Sequence, residues 1–101
     1  MAEAGFLVRI VTPEDIFFES RAVSLMAPGF EGYLGVLENH APLVTPLTQG
    51  RIFVRLAGGE EKHFETRGGF LEVSRNQVLI LVEKVAETNP ASAVGANSSA
   101  G

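Results

Sequence analysis

Arg51-Ile52-Phe53-Val54-Arg55-Leu56-Ala57-Gly58-Gly59-Glu60-Glu61-Lys62-His63-Phe64-Glu65-Thr66 decides the fold class. Ile52, Val54 and Leu56 alternate with Arg51, Phe53 and Arg55. A period of two sends one set of side chains to a core and the other outward. Gly58-Gly59 is a hairpin signal, because both positions accept positive φ. The chain returns from Lys62 to Thr66 with Phe64 inward, and His63 and Glu65 outward on a solvated face. Strand, tight turn and strand make this stretch a hairpin.

The same grammar extends in both directions. Downstream, Gly68-Gly69 reads as a corner or bulge. Phe70 to Ser74 is a strand, and Arg75-Asn76 turns into Gln77-Val78-Leu79-Ile80-Leu81-Val82. That last run is apolar on both faces, so it needs cover on both sides: the domain's own layers, or one layer and another protein. Upstream, Phe6 to Thr12 is a strand with Phe6, Val8 and Ile10 on one face. Thr12-Pro13-Glu14-Asp15 is a turn. Ile16 to Arg21 and Ala22 to Ala27 read as two strands or one long bent one. Pro28 to Gly32 is a loop, Tyr33 to Leu37 a short strand, and Glu38 to Pro42 irregular. Leu43 to Leu47 follows, and Pro46 places it at an edge or a bulge. Short strands with turn signals at this spacing predict an all-β fold, a sandwich or barrel of about eight to ten strands. From Glu87 the composition turns small and nearly chargeless, which predicts a domain over 1–86 and a flexible tail over 87–101.

Composition narrows the function. A chain of 101 residues is one domain by length. No apolar run reaches the roughly 18 residues of a membrane-spanning helix. The start shows no basic region followed by an apolar stretch, so no secretory signal is expected. There is no cysteine, which excludes disulfides and thiolate ligands. Net charge is −4 and the eight basic residues are scattered, against nucleic-acid or anionic-membrane binding.

Site chemistry is sparse. The two histidines, His40 and His63, would need carboxylates to complete a metal site. The glycines of Gly29 to Gly35 form neither a phosphate loop nor a dinucleotide fingerprint, because no helix follows. Ser20, His40 and Asp15 supply the residue types of a hydrolytic triad, but nothing marks an activated nucleophile. Catalytic, cofactor and metal sites are all expected to be absent. One Tyr and no Trp argue against an aromatic carbohydrate platform, the ligand-binding alternative. The residues favour a β domain built for contact.

Three motifs say contact with what. They are Glu31-Gly32-Tyr33-Leu34-Gly35, then His40-Ala41-Pro42-Leu43, then Gly68-Gly69-Phe70-Leu71-Glu72-Val73. With Val8 to Glu14 and Ile16-Phe17-Phe18, their order and spacing over Phe6 to Ala86 resemble the ε subunit of F-type ATP synthases, called δ in mitochondria. Two departures stand out. The family usually has Pro-Gly before the histidine, where this chain has Glu38-Asn39; Asn also accepts the left-handed conformation. The family usually continues into two C-terminal helices, for which the tail is too short.

The resemblance implies a flattened β-sandwich in the rotary stalk. One side would pack on the γ subunit, and one end would sit on the membrane rotor ring of c subunits. It implies no cofactor, no nucleic acid, no membrane insertion, and a peripheral location on the cytoplasmic side of an energy-transducing membrane. Carried onto this sequence, the ring-facing positions are Glu31, Tyr33, Glu38 and His40. The γ-facing positions are Thr12, Val78, Leu79 and Ile80. For His40 a purely structural turn role stands equally beside the contact role. For the Val78 to Val82 strand, burial of both faces inside the domain stands beside the γ contact.

Overall fold

A computed structural model describes residues 5–88. It contains nine strands and, among the described residues, no helix. They are β1 (Phe6–Val11), β2 (Ile16–Gly29), β3 (Gly32–Leu37), β4 (Leu43–Leu47), β5 (Gly50–Leu56), β6 (Glu61–Thr66), β7 (Gly69–Ser74), β8 (Gln77–Leu81) and β9 (Val85–Thr88).

Two layers share β2. Its first half pairs antiparallel with β1, from Val11↔Ile16 to Phe6↔Ala22. β1 runs parallel to β8, β8 antiparallel to β7, and β7 antiparallel to β4. The second half of β2 lies between β3 and β5; β5 pairs with β6, and β6 with β9. The stretch from Ile16 is therefore one long strand. Its register against β5 shifts between Ala22 and Ser24. A bulge there bends the strand from one layer into the other. β4 pairs along its length with β7 and on the other side only through Gly29↔Leu47, the edge position that Pro46 requires.

The inward residues are those the alternation selects. Phe6, Val8 and Ile10 of β1 and Ile52 and Val54 of β5 are buried with Phe64, Leu71 and Val73. Two turns show how the ends are fastened. Arg75 and Asn76 both have positive φ, 52° and 59°, as a two-residue type I′ hairpin demands. The Asn76 side chain then reaches across the end of the sandwich. Its Oδ1 accepts from the Asn39 N–H at 2.7 Å, and its Nδ2 donates to the Gly5 carbonyl at 2.8 Å. Gly69 has φ 136°, and a Cβ there would run into the Leu81 carbonyl. The corner needs glycine for both reasons.

The expected boundary at Ala86 falls within β9. β9 continues to Thr88, with Glu87 opposite Phe64 and Thr88 opposite His63. Lys62 Nζ bonds Glu87 at 3.1 Å and lies 3.4 Å from Glu60. The Glu87 hydrogen bond and then the Glu60 charge raise the Lys62 pKa above its usual 10.5. The rest of the expected tail lies outside the described residues.

Candidate functional site

The outward face of the β2–β1–β8–β7–β4 layer carries an unbroken apolar row. Val11 lies opposite Ile16 and Leu81, Leu81 opposite Phe70, and Phe70 opposite Pro46. Ile16 is 52% exposed, Leu81 46% and Phe70 55%. The next row reads Glu19, Arg9, Leu79, Glu72 and Val44. Arg9 and Glu19 are bonded there at 3.0 Å. The face thus grades from apolar to charged within about 7 Å, the separation of outward residues along a strand. A groove of about 440 Å³ runs along its apolar side, lined by Val11, Thr12, Pro13, Phe70 and Leu81 among others. Large exposed apolar surface with a polar rim marks an interaction site.

The expected γ-facing set divides between two faces. Val78 and Ile80 are 2% and 0% exposed and point into the core. Successive residues of a strand face opposite sides, so no strand offers three in a row to one partner. Leu79 is on the outward face. Thr12 lies beside it at the end of β1, where its N–H donates to the Asp15 carbonyl at 2.9 Å and fixes the turn. Leu81 belongs to the Val78 to Val82 strand already named for that contact, whereas Phe70 and Ile16 were not singled out. Each was legible only as an outward apolar position on its own strand; their union into a row depends on strand order.

The expected ring-facing residues fall at two ends. Glu31 and Tyr33 sit at the β2–β3 tip, with Phe30 exposed beside them. The tip is tied down by the Phe30 N–H donating to the Pro46 carbonyl at 3.0 Å. Tyr33 Oη accepts from the Arg51 N–H at 3.0 Å, and its ring centre lies 6.3 Å from that of Phe53. Glu38 and His40 follow the far end of β3, about 20 Å away for a strand of this length. The four therefore form two separate pairs. At that far end Asn39 takes φ 65°, the left-handed conformation expected of it. The His40 N–H donates to the Leu37 carbonyl at 3.1 Å, and its ring Nδ1 is 2.7 Å from the Ala41 carbonyl. A carbonyl only accepts, so Nδ1 carries the proton. These bonds are those of a structural turn residue.

His63 also departs from expectation. It points outward, as the alternation requires, yet is only 9% exposed. The edge of its ring meets Phe53 at 4.8 Å between centres, and neither ring nitrogen has a hydrogen-bond partner. Strand period sets direction; the size of the neighbours sets exposure. Among the described residues no cluster of three or more His, Cys, Asp or Glu is placed to hold a metal.

Comparison with known proteins agrees with this geometry. The sequence profile of the family described as "ATP synthase, Delta/Epsilon chain, beta-sandwich domain" matches residues 6–88. The ATP synthase epsilon chain of Moorella thermoacetica is 44% identical over 80 residues, covering 79% of this chain and 60% of that one. The ATP synthase epsilon chain of Chlorobium limicola is 37% identical over 84 residues, covering 83% of this chain and 96% of that one. The chain thus spans about three-fifths of the first relative and nearly all of the second. Among solved structures, a chain of the Euglena gracilis mitochondrial ATP synthase (OSCP/F1/c-ring) superposes with TM-score 0.78 at 20% identity. That match covers 96% of this chain and 64% of the other. A chain of the Tetrahymena thermophila central stalk/c-ring structure gives TM-score 0.71 at 17% identity, covering 98% and 91%. At such identities these two show the fold alone. The family match, over nearly every described residue, decides the matter: the chain belongs to the ATP synthase delta/epsilon family, as its β-sandwich domain.

Proposed function

We propose that this chain is a non-catalytic central-stalk subunit of an F-type ATP synthase. It clamps the γ subunit to the membrane ring, so that ion-driven rotation of the ring turns γ within the catalytic head. The observation that carries this reading is the apolar row Ile16, Val11, Leu81, Phe70 and Pro46, which runs across five strands. A torque-bearing contact must be stable, and a stable interface buries roughly 800 Å² on each partner. Most of one face of a domain this small is needed for that.

On this reading γ covers the row together with Leu79 and Thr12. The ring meets the adjoining end, where Phe30, Glu31 and Tyr33 are exposed. Phe30 bonds Pro46, the last member of the row, so the two contacts adjoin. Glu38 and His40 lie at the opposite end and take no part in the ring contact. The subunit is then a peripheral protein on the cytoplasmic side of the membrane, held there by its partners and not by lipid.

The test is co-purification with the cognate γ subunit. The parent chain is expected to form a complex at micromolar concentrations. Absence of a complex well above micromolar refutes the assignment.

A further inference from the structure

The outward face of the other layer, β3–β2–β5–β6–β9, meets that reading only at its edge, through Tyr33, whose ring lies 6.3 Å from Phe53. On β5 it presents Arg51, Phe53 and Arg55; on β6 it presents Glu65, His63 and Glu61 at the same levels. Arg51 and Glu65 are 2.9 Å apart, and Arg55 and Glu61 3.6 Å. One strand therefore reads positive, aromatic, positive, and its neighbour negative, imidazole, negative. Met26, opposite Phe53 on β2, extends the apolar centre and is itself exposed.

We infer that this face binds a second copy of the chain. The charge order is complementary to its own image. A two-fold axis running along the strands, between β5 and β6, lays β5 of one copy over β6 of the other without changing level. Arg51 then faces the partner's Glu65, Arg55 faces the partner's Glu61, and Phe53 lies over the partner's Phe53–His63 ring pair. Such an isologous contact repeats each interaction twice. Had both strands carried one sign, the face would repel its own copy. The face itself is neutral, so the chain's net charge of −4 resides elsewhere.

The area sets the strength. Four overlapping strands about 4.8 Å apart and about 20 Å long give roughly 400 Å² per copy. About 800 Å² in total falls below the range of stable specific interfaces and matches a weak, transient encounter. The contact uses the face away from the apolar row, so it stands or falls independently of the γ contact, and it adjoins the ring-facing end only at Tyr33.

Sedimentation velocity of the whole chain at low salt, from micromolar to millimolar, tests it. The parent is expected to pass from monomer toward dimer, and added salt to reverse this by screening. Arg51→Glu alone and Glu65→Arg alone set like charges against each other and are expected to stay monomeric. Their equimolar mixture restores opposite charges at every facing pair and is expected to associate. Phe53→Ser, which leaves all charges in place, should weaken association about tenfold. A parent that stays monomeric at millimolar concentration overturns the inference. So do single charge variants that associate like the parent, or a mixture that associates no better than either component.

Discussion

Ile80 and Leu81 are adjacent on β8, yet aspartate at the two positions should fail in different ways. Ile80 is fully buried, whereas Leu81 is about half exposed in the middle of the apolar row. Ile80→Asp removes about 2 kcal/mol of apolar burial. It also buries an unpaired carboxylate, at a further cost of several kcal/mol. The sum, about 5 kcal/mol or more, rivals the whole stability of a domain this size, about 5–15 kcal/mol. The variant should be largely unfolded at room temperature. Leu81→Asp loses only the buried half of one leucine, about 1 kcal/mol. That lowers the melting temperature by about 4–8 °C and leaves the fold intact. Its loss should appear in binding instead, because a charge at the centre of an interface typically costs 2 kcal/mol or more, about thirtyfold in affinity. Circular dichroism melting and a γ pull-down, run on both variants, separate the effects. A folded Ile80→Asp would refute the placement of the core. A folded Leu81→Asp that binds γ like the parent would refute the assignment of the face.

Three further perturbations probe the frame. Gly69→Ala forces an alanine to φ 136° against the Leu81 carbonyl and should cost more than about 2 kcal/mol in urea unfolding, whereas Gly58→Ala, with open space around it, should be nearly neutral. Asn76→Ala removes both bonds that fasten the Gly5 and Asn39 backbones and should cost about 1–3 kcal/mol; Asn76→Gly, which tolerates the same φ, should recover only the backbone part. Lys62 has a raised folded-state pKa, so its contribution is fully present below its unfolded pKa of 10.5 and is lost as pH rises through the higher folded value. Lys62→Met should therefore show a small deficit relative to the parent from neutral pH to pH about 10 that shrinks in more alkaline solution, read as urea midpoints across that range.

Much of the fold was legible because strand period, turn chemistry and apolar spacing are local. Ile52 and Val54 were assigned inward from their alternation alone, and Pro42 and Pro46 put β4 at an edge or a bulge. The corner at Gly68-Gly69 and the turn at Arg75-Asn76 were read from residue type. The interaction surface was far less legible. Ile16, Val11, Leu81, Phe70 and Pro46 come from five strands, and their sequence separations carry no sign that they adjoin. Asn76 likewise fastens Gly5 across 71 positions of chain, which no local pattern announces.

The sequence by itself determined that this is a β domain without the residue patterns of an active site, and its motifs named the family. Tertiary structure alone decided that Val78 and Ile80 serve the core while Leu79 and Leu81 face outward. It decided that Glu31 and His40 stand at opposite ends, and that His63 is covered although its strand points it outward. The reason is physical. Direction along a strand follows from the two-residue period, but exposure and adjacency follow from which strands hydrogen-bond side by side, and those pairings are set by the packing of the whole sandwich.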